Sequence, residues 1–328
     1  MMTIILRLRA KKNARDFLTF AESKHILLFR LMKENLNKNI TKENLPIGIF
    51  DSGVGGLTVY RALHNRLPNE RFVYLGDTAR VPYGTKSLAT VERYAIENSQ
   101  FLASRGIKLL VVACNTASAL ALPKIREAIK LDVVGVIGPG GRKAVEITKN
   151  SLNPKIGVIA TEATIQSDAY AEAIRRTSET VEIIQQSCPL FVPLAEENWT
   201  NEPETFSIAR KYLQKLADAK IDALVLGCTH YPILREVIQQ TIGENVKLVD
   251  SGEATADEVA ALLKERNLES TLTNQNRSRR LCDDLDHFYV TDAAERFARV
   301  AERFLGSQPA KLEAIELWGS DNLSGKKR

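Results

Sequence analysis

The sequence predicts an α/β fold of two pseudo-symmetric domains, each a mostly parallel sheet flanked by helices, with the active site in the interdomain cleft. Its 328 residues exceed the usual size of a single hydrophobic core. Short β-branched runs alternate with longer helical patterns, which is typical of parallel sheets. This order of elements occurs twice along the chain, which indicates two copies of one structural unit.

The first copy begins with a predicted strand at 47–50, followed at once by a glycine-rich turn. Helices are predicted at 57–67, where the pattern ends before Pro68, and at about 88–105. The remaining strands of this copy are predicted at 71–75, 108–113 and 132–137. The last of them leads into a predicted turn over Gly138 to Gly141.

The second copy repeats this order, with strands predicted at 156–160, 181–185, 223–226 and 246–249. Asp51 precedes Cys114 by 63 positions, and Thr161 precedes Cys228 by 67. Each cysteine therefore lies just past the C-terminal end of a strand, where ligands bind in open parallel sheets. Units of similar length can also agree in spacing by chance. Two copies that face each other would place both cysteines across one cleft.

Composition excludes some classes of protein. The chain is 44% apolar and 26% charged, which is ordinary for a globular protein. No stretch approaches the roughly 18 apolar residues that a membrane-spanning helix needs. The N-terminus shows no export signal, so we expect a cytoplasmic protein that does not act at a membrane.

The net charge of +5 is concentrated near the N-terminus. Residues 1–45 carry +6, and residues 46–328 carry −1. The body of the chain thus has no basic excess that would favour nucleic acid, and we expect no such partner. Residues 1–45 are interpreted either as a flexible arm or as a start-site artefact, with translation beginning at Met32.

The four cysteines are Cys114, Cys188, Cys228 and Cys282. In a cytosolic chain they should be free thiols. None has the spacing of a zinc site, so no metal is predicted. Cys188 is interpreted as structural. Cys282 lies in the polar stretch 274–286, which is interpreted as an exposed insertion, and it is assigned no role.

Two thiols on opposite walls of a cleft suit racemisation of an amino acid. One group removes the α-proton from one face while the other returns a proton to the opposite face. A cysteine with a pKa of about 8.5 can take either protonation state near neutrality. Acid/base groups of this kind contribute roughly 10²–10⁴-fold each. The site must also stabilise the developing carboxylate dianion with fixed donors.

The residues beside the cysteines are polar. Asn115 and Thr116 follow Cys114, and Thr229 and His230 follow Cys228, all at predicted helix N-termini that can receive a carboxylate. His230 can exchange a proton with Cys228 or favour its thiolate.

Asp51, at the end of the first strand, can act as a proton partner of Cys114 or hold the substrate ammonium. Each of these features alone also has a structural interpretation, such as an N-cap at Asp51 or a hydrogen-bonded histidine at 230. The glycines at 53, 55 and 56 lack the spacing of a dinucleotide-binding loop.

With these residues in place, the chain resembles the glutamate racemases of the aspartate/glutamate racemase superfamily over roughly residues 46–306. The resemblance is carried by the segments 49–59, 75–84, 113–117, 226–232, 249–252 and 288–292, with Arg296 and Phe297.

The resemblance implies interconversion of L- and D-glutamate without pyridoxal phosphate or another cofactor, supplying D-glutamate for peptidoglycan. It implies that Cys114 acts on the α-proton of the D enantiomer, assisted by Asp51, and Cys228 on that of the L enantiomer, assisted by His230. The implied substrate contacts are Asp51, Ser52, Tyr83, Gly84, Asn115, Thr116, Thr229 and His230.

The resemblance also implies a domain division. Residues 46–141 with 255–310 form the first domain, residues 142–254 the second, and residues 311–328 a C-terminal tail. We further expect a homodimer. Some members use an N-terminal extension to receive a regulator that is a cell-wall precursor, although no motif here indicates it.

Alternatives remain open at this stage. The same fold and mechanism could serve aspartate or another amino acid, although His230 replaces the acidic residue that aspartate-specific relatives tend to carry. A non-catalytic, inhibitory binding role is a second alternative. A pyridoxal-dependent enzyme would need a Schiff-base lysine. Lys86 and Lys143 are the nearest candidates, and nothing around them suggests a cofactor pocket.

Overall fold

The computed structural model describes residues 41–272 and 279–317, which contain two parallel β-sheets. Parts of three predicted segments lie outside the described residues: 1–40 of the N-terminal extension, 274–278 of the polar stretch, and 318–328 of the tail. The interpretation of residues 1–40 therefore stays a prediction.

The first sheet has six strands in the order β10-β9-β2-β1-β3-β4. All its neighbouring strands pair in parallel. Its strands are β1 (Ile47–Asp51), β2 (Phe72–Gly76), β3 (Leu109–Val112), β4 (Asp132–Gly135), β9 (His287–Val290) and β10 (Leu312–Ala314).

The second sheet has four parallel strands in the order β6-β5-β7-β8. They are β5 (Lys155–Ala160), β6 (Glu182–Ser187), β7 (Ala223–Gly227) and β8 (Lys247–Asp250). This order matches β2-β1-β3-β4 of the first sheet strand for strand, as the repeat spacing predicts. The predicted α/β fold with two parallel sheets is therefore confirmed.

Helices cover these sheets. They are α1 (Leu57–Arg66), α2 (Leu88–Ser104), α3 (Asn115–Leu120), α4 (Leu122–Ala128), α5 (Ile137–Thr148), α6 (Glu162–Gln166), α7 (Ala169–Arg175), α8 (Phe191–Glu196), α9 (Pro203–Asp218), α10 (Arg235–Ile242), α11 (Ser251–Glu265) and α12 (Ala294–Leu305). Among the described residues, no helix is both long and apolar enough to cross a membrane.

The central strands are buried on both faces, because helices cover parallel sheets on each side. Every residue of β1, β2, β3 and β7 is buried. One apolar cluster runs from Ile49 of the first sheet to Leu226 of the second without interruption. Helix α11 packs against both α1 and α5, so the two halves share a packed joint.

The predicted turn over Gly138 to Gly141 is wrong, since these residues form the first turns of α5. A proline in the first turn of a helix is tolerated, because the amide hydrogens there have no intrahelical partner. A Cβ atom on Gly141 would lie 3.1 Å from Cβ of Ala173, so the glycines instead allow α5 to approach α7 closely.

The interpretation of Cys282 as part of an exposed insertion is also wrong. Cys282 is only 2% exposed, and its backbone N–H donates a hydrogen bond to the Tyr60 hydroxyl at 2.8 Å. Asp286 accepts from the same hydroxyl at 2.8 Å and pairs with Arg279 at 2.8 Å. These buried polar groups hold the segment against the core, a tertiary effect that local polarity does not reveal.

Candidate active site

The carboxyl ends of the two sheets face each other and bring both cysteines into one region. Cys114 lies two residues past the end of β3, and Cys228 directly follows β7, at equivalent places in the two sheets. Their side chains are buried, at 5% and 7% exposed. The two positions are close enough to interact electrostatically, since the charge of Cys228 contributes to raising the pKa of Cys114.

Cys114 is surrounded by groups that favour its neutral thiol. Burial raises its pKa to about 12, and the negative charge of Asp51 contributes to the same shift. Hydrogen bonding with Ser52 and with the Ala117 N–H opposes it in part. The thiol donates to Oγ of Ser52 at 3.4 Å. Cys114 is therefore protonated near neutral pH.

Asp51 is fully buried at the end of β1. Its Oδ2 accepts the Gly53 N–H at 2.8 Å, whereas Oδ1 has no hydrogen-bond partner among the described residues. Burial raises the pKa of this carboxyl, while the positive charge of His230 and nearby backbone N–H groups lower it. Oδ1 is thus a buried acceptor whose hydrogen-bonding capacity is unused among the described residues.

Cys228 is the first member of a chain of three polar side chains. Its Sγ lies 3.8 Å from Nδ1 of His230, and Nε2 of His230 lies 3.1 Å from Oε1 of Glu196. Burial alone would lower the pKa of His230, but its bonds to Cys228 and Glu196 outweigh burial and raise that pKa to about 10. His230 is therefore an imidazolium at neutral pH, next to the Cys228 sulfur.

Glu196 was not predicted from the sequence. It ends α8, 34 residues before His230, and no local pattern connects the two. Burial raises its pKa, but His230 and Arg296 more than compensate, so the pKa falls below its usual value. Arg296 of α12 contacts Oε2 at 3.0 Å, and Arg303 donates to the Glu196 carbonyl at 3.1 Å. The C-terminal helix of the first sheet thereby holds the carboxylate that faces His230.

The residues after Cys114 meet the second sheet through polar contacts. Oδ1 of Asn115 accepts a hydrogen bond from the Tyr170 hydroxyl at 2.6 Å, which leaves the buried Nδ2 as a free donor among the described residues. Thr116 shares its hydroxyl contacts with Thr161 at 3.0 Å and Thr164 at 3.2 Å. The sequence prediction missed Thr161 and Thr164 as site residues, although the repeat spacing places Thr161 at the equivalent of Asp51.

Tyr83 does not offer its hydroxyl to the cleft. That hydroxyl donates to buried Asp77 and accepts from Nδ2 of Asn98 at 3.0 Å. Gly84 faces the second sheet, where a Cβ would lie 2.9 Å from Cβ of Thr161. Any ligand contact of the segment 83–84 is thus made by its backbone.

The glycine-rich loop after β1 touches the loop after β7. A Cβ on Gly55 would lie 2.3 Å from Oγ1 of Thr229 and 2.5 Å from Nδ1 of His230. The hydroxyl of Thr58 donates to the Thr229 carbonyl at 2.8 Å. The two loops are therefore in direct contact across the joint between the sheets.

Two cavities differ in volume and in position. A cavity of about 50 Å³ between Val81, Glu196 and Arg296 lies at the edge of the cleft. A larger cavity of about 620 Å³ lies between Arg66 and Lys264, and neither cysteine lines it. Neither cysteine, nor Asp51, nor His230 lines either of these two cavities, so we place the chemistry by the convergence of the polar side chains and not by a cavity. Within residues 41–272 and 279–317, no group of three or more His, Cys, Asp or Glu has the geometry of a metal site.

Two opposed thiols with different partners can move a proton between the two faces of a carbon acid. Cys114 holds a proton beside a buried carboxylate, and Cys228 lies beside an imidazolium. One position thus favours the acid form and the other can stabilise a thiolate. Free donors such as Nδ2 of Asn115 can bind a carboxylate between them.

Comparison with known proteins identifies the family. Residues 47–259 match the family model described as Asp/Glu/hydantoin racemase. A glutamate racemase of Geobacter metallireducens is 51% identical over 271 residues, covering 83% of this chain and 96% of the relative.

Two solved structures are similar as well. The glutamate racemase of Francisella tularensis in complex with D-glutamate has a TM-score of 0.75 at 39% identity, covering 84% of this chain and 98% of that one. The Escherichia coli glutamate racemase in complex with L-glutamate and the activator UDP-MurNAc-Ala has a TM-score of 0.66 at 30% identity. That match covers 84% of this chain and 100% of the other.

Proposed function

The chain belongs to the Asp/Glu/hydantoin racemase family and interconverts L- and D-glutamate, and from this premise we propose that Cys114 and Cys228 are its two acid/base groups. The observation that supports this assignment most is that both thiols follow equivalent strands, β3 and β7, of two sheets with the same strand order. Each thiol also has its own buried polar partner.

In the direction from L to D, the Cys228 thiolate removes the α-proton, and the Cys114 thiol donates its proton to the opposite face. In the reverse direction the two roles exchange. The pKa of about 12 at Cys114 supports a thiol there, which is the proton donor in the L-to-D direction, and the imidazolium of His230 lies beside the Cys228 sulfur.

Asp51 and His230 assist the two thiols. The free Oδ1 of Asp51 can accept the substrate ammonium, whose charge would in turn stabilise the buried carboxylate. His230 stabilises negative charge on Cys228 and is itself held by Glu196, which sets its orientation. We therefore add Glu196 to the site as a positioning residue.

Polar groups on both walls bind the substrate carboxylates. Nδ2 of Asn115 is a buried donor with no partner within the described part of the chain, and the hydroxyls of Ser52, Thr116 and Thr229 lie in the same loops as the reactive groups. Gly84 contributes through its backbone. Fixed donors of this kind stabilise the charge that develops on the α-carboxylate during deprotonation.

We also propose a biological role, a cellular location, a domain division, an oligomeric state and a regulator. The product D-glutamate serves peptidoglycan synthesis, and free thiols favour a cytoplasmic location. We retain the proposed domains, 46–141 with 255–310 and 142–254, and a homodimer. The activator in the Escherichia coli structure supports a cell-wall precursor as a regulator here.

Racemisation in D₂O without added cofactor tests the assignment. We expect α-deuterium mainly in the newly formed enantiomer, and losses of roughly 10²–10⁴-fold in Cys114→Ser and in Cys228→Ser. Cys188→Ser is the matched control, because Cys188 is a fully buried thiol within the core. Near-normal turnover in either active-site variant would contradict the two-thiol mechanism. Preference for aspartate in the same assay would transfer the mechanism to another substrate.

A further inference from the structure

The geometry points to Thr58 as a positioning residue for Cys228. Thr58 lies in the first turn of α1, the helix that follows β1 of the first sheet, and is only 4% exposed. Its hydroxyl reaches the loop after β7, which carries the thiol. The inference rests on the proposed role of Cys228 and adds a residue outside the substrate cleft to the machinery of the reaction.

The hydroxyl of Thr58 has one hydrogen and two carbonyls within reach. The Thr229 carbonyl lies at 2.8 Å and the Gly55 carbonyl at 3.0 Å. The Gly55 carbonyl already accepts the backbone N–H of Thr58 at 3.0 Å. The Thr229 carbonyl is therefore the acceptor that depends on the hydroxyl, and this bond crosses the joint between the two sheets.

The Thr229 carbonyl belongs to the peptide bond between Thr229 and His230, one residue after Cys228, so fixing its direction constrains the short loop that carries both side chains. Buried side chain to backbone bonds of this kind fix a loop more strictly than packing alone. At Gly55, three residues before Thr58, the space beside Thr229 and His230 is too small for a side chain. The close contact at Gly55 limits the distance between the two loops, and the hydrogen bond from Thr58 fixes how one loop is aligned with the other.

The start of α11 abuts the same turn of α1. A Cβ on Gly252 would lie 3.3 Å from Cα of Val59, the residue after Thr58. The first turn of α1 thus contacts two segments that follow strands of the second sheet. Among the described contacts of this turn, the side-chain hydrogen bond to the loop after β7 comes from Thr58, since Leu57 and Val59 are apolar and the Tyr60 hydroxyl donates to Asp286.

The consequence is kinetic. A displacement of about 1 Å in a catalytic group can cost roughly 10²-fold in rate. Thr58→Val keeps the shape of the side chain and removes the donor, so we expect kcat/KM to fall by roughly 10- to 100-fold. Racemisation of enantiomers has no net driving force, so the fall is equal in both directions.

Isotope effects identify which thiol is displaced. α-Deuterated L-glutamate loses its deuteron to Cys228, and α-deuterated D-glutamate loses it to Cys114. A slower Cys228 step raises the isotope effect on kcat/KM for the L enantiomer and lowers it for the D enantiomer. General destabilisation of the fold would leave this balance unchanged.

The experiment compares Thr58→Val, Thr58→Ser and the control Thr148→Val in the full chain. Thr148 is also a buried helical threonine, but its hydroxyl bonds only within its own helix. We expect Thr58→Ser to retain most activity and Thr148→Val to retain both activity and isotope effects. If Thr58→Val does not fold, Thr58→Ala removes the same donor and is measured in its place.

Unchanged kcat/KM and isotope effects in the variant without the hydroxyl would overturn the role of Thr58, as would an equal loss in Thr148→Val. Cys228→Ser, assayed in parallel, distinguishes failure of the positioning role of Thr58 from failure of the catalytic role of Cys228. If that variant is inactive while Thr58→Val is normal, only the positioning role fails. If Cys228→Ser is active, the proposed function of Cys228 itself fails.

Discussion

Replacing Gly55 with alanine tests how tightly the two active-site loops are set against each other. The new Cβ would lie 2.3 Å from Oγ1 of Thr229 and 2.5 Å from Nδ1 and Cε1 of His230. Carbon atoms in contact prefer about 3.5–4.0 Å. The loops must therefore separate by about 1 Å, because the His230 ring is held on one side by Cys228 and on the other by Glu196.

Two magnitudes follow from that separation. Overpacking of a buried site costs roughly 1–3 kcal/mol of folding free energy, so the variant should fold with a lowered midpoint of unfolding. A catalytic displacement of about 1 Å costs roughly 10²-fold in rate, which is more than the loss of stability would cause at temperatures where the protein is folded. Activity should therefore fall much further than the folded fraction.

The assay is kcat/KM for both enantiomers, measured well below the unfolding transition of each variant. Gly138→Ala is the control, because a Cβ there meets only the flexible end of Arg142 at 3.2 Å. We expect the control to keep wild-type activity. Activity in Gly55→Ala within a few-fold of wild type, with the fold intact, would refute the close contact between the loops.

Three further substitutions test separate parts of the structure. His230 has a pKa raised from 6.5 to about 10, so its bonds stabilise the fold fully below pH 6.5 and this contribution is lost as the pH rises towards 10. Glu196→Gln should lower the pKa of His230. Both the loss of stability and the alkaline limb of kcat/KM should then move to lower pH. Unchanged pH profiles would contradict the interaction between His230 and Glu196. Lys108→Met leaves Glu70 buried without its cation and should cost about 3–5 kcal/mol in denaturant-induced unfolding, with most of the loss recovered when Glu70→Gln is added. Tyr83→Phe removes the hydrogen-bond donor to the buried carboxylate of Asp77 and should lower the free energy of unfolding by about 1 kcal/mol. It should also raise KM more than it lowers kcat. An unchanged KM would show that the segment 83–84 does not contact the substrate.

The strands and the equivalence of the two cysteines were predictable because both depend on local chemistry. Central strands of a parallel sheet are buried on both faces and appear in the sequence as short apolar runs. Cys114 and Cys228 follow such runs directly, so their places at the strand ends required only the spacing of the repeat. Polar neighbours in the same loops were found for the same reason.

Residues that reach the site from other elements were not predictable. Glu196 meets His230 only because α8 ends near the loop after β7, and Thr58 meets Thr229 only because the two sheets pack together. No periodicity or motif in one segment encodes such a contact. The same holds for Cys282, whose burial depends on ion pairs that form only in the folded chain.

The two copies of the unit differ at the positions that carry charge. Asp51 ends the first strand of one copy, where the other has Thr161. The second residue after the cysteine is Thr116 in the first copy and His230 in the second. Each copy therefore supplies one ionisable group, and the two have opposite sign.

This difference gives the two cysteines neighbours of opposite charge. The charge of Asp51 adds to burial in raising the pKa of Cys114, so that thiol keeps its proton. The imidazolium of His230 lies beside Cys228 and favours negative charge there. Asp51 and His230 also attract each other across the joint, since the charge of His230 lowers the pKa of Asp51. Removing the carboxylate at Asp51 should therefore lower the pKa of Cys114, because its negative charge contributes to raising that pKa.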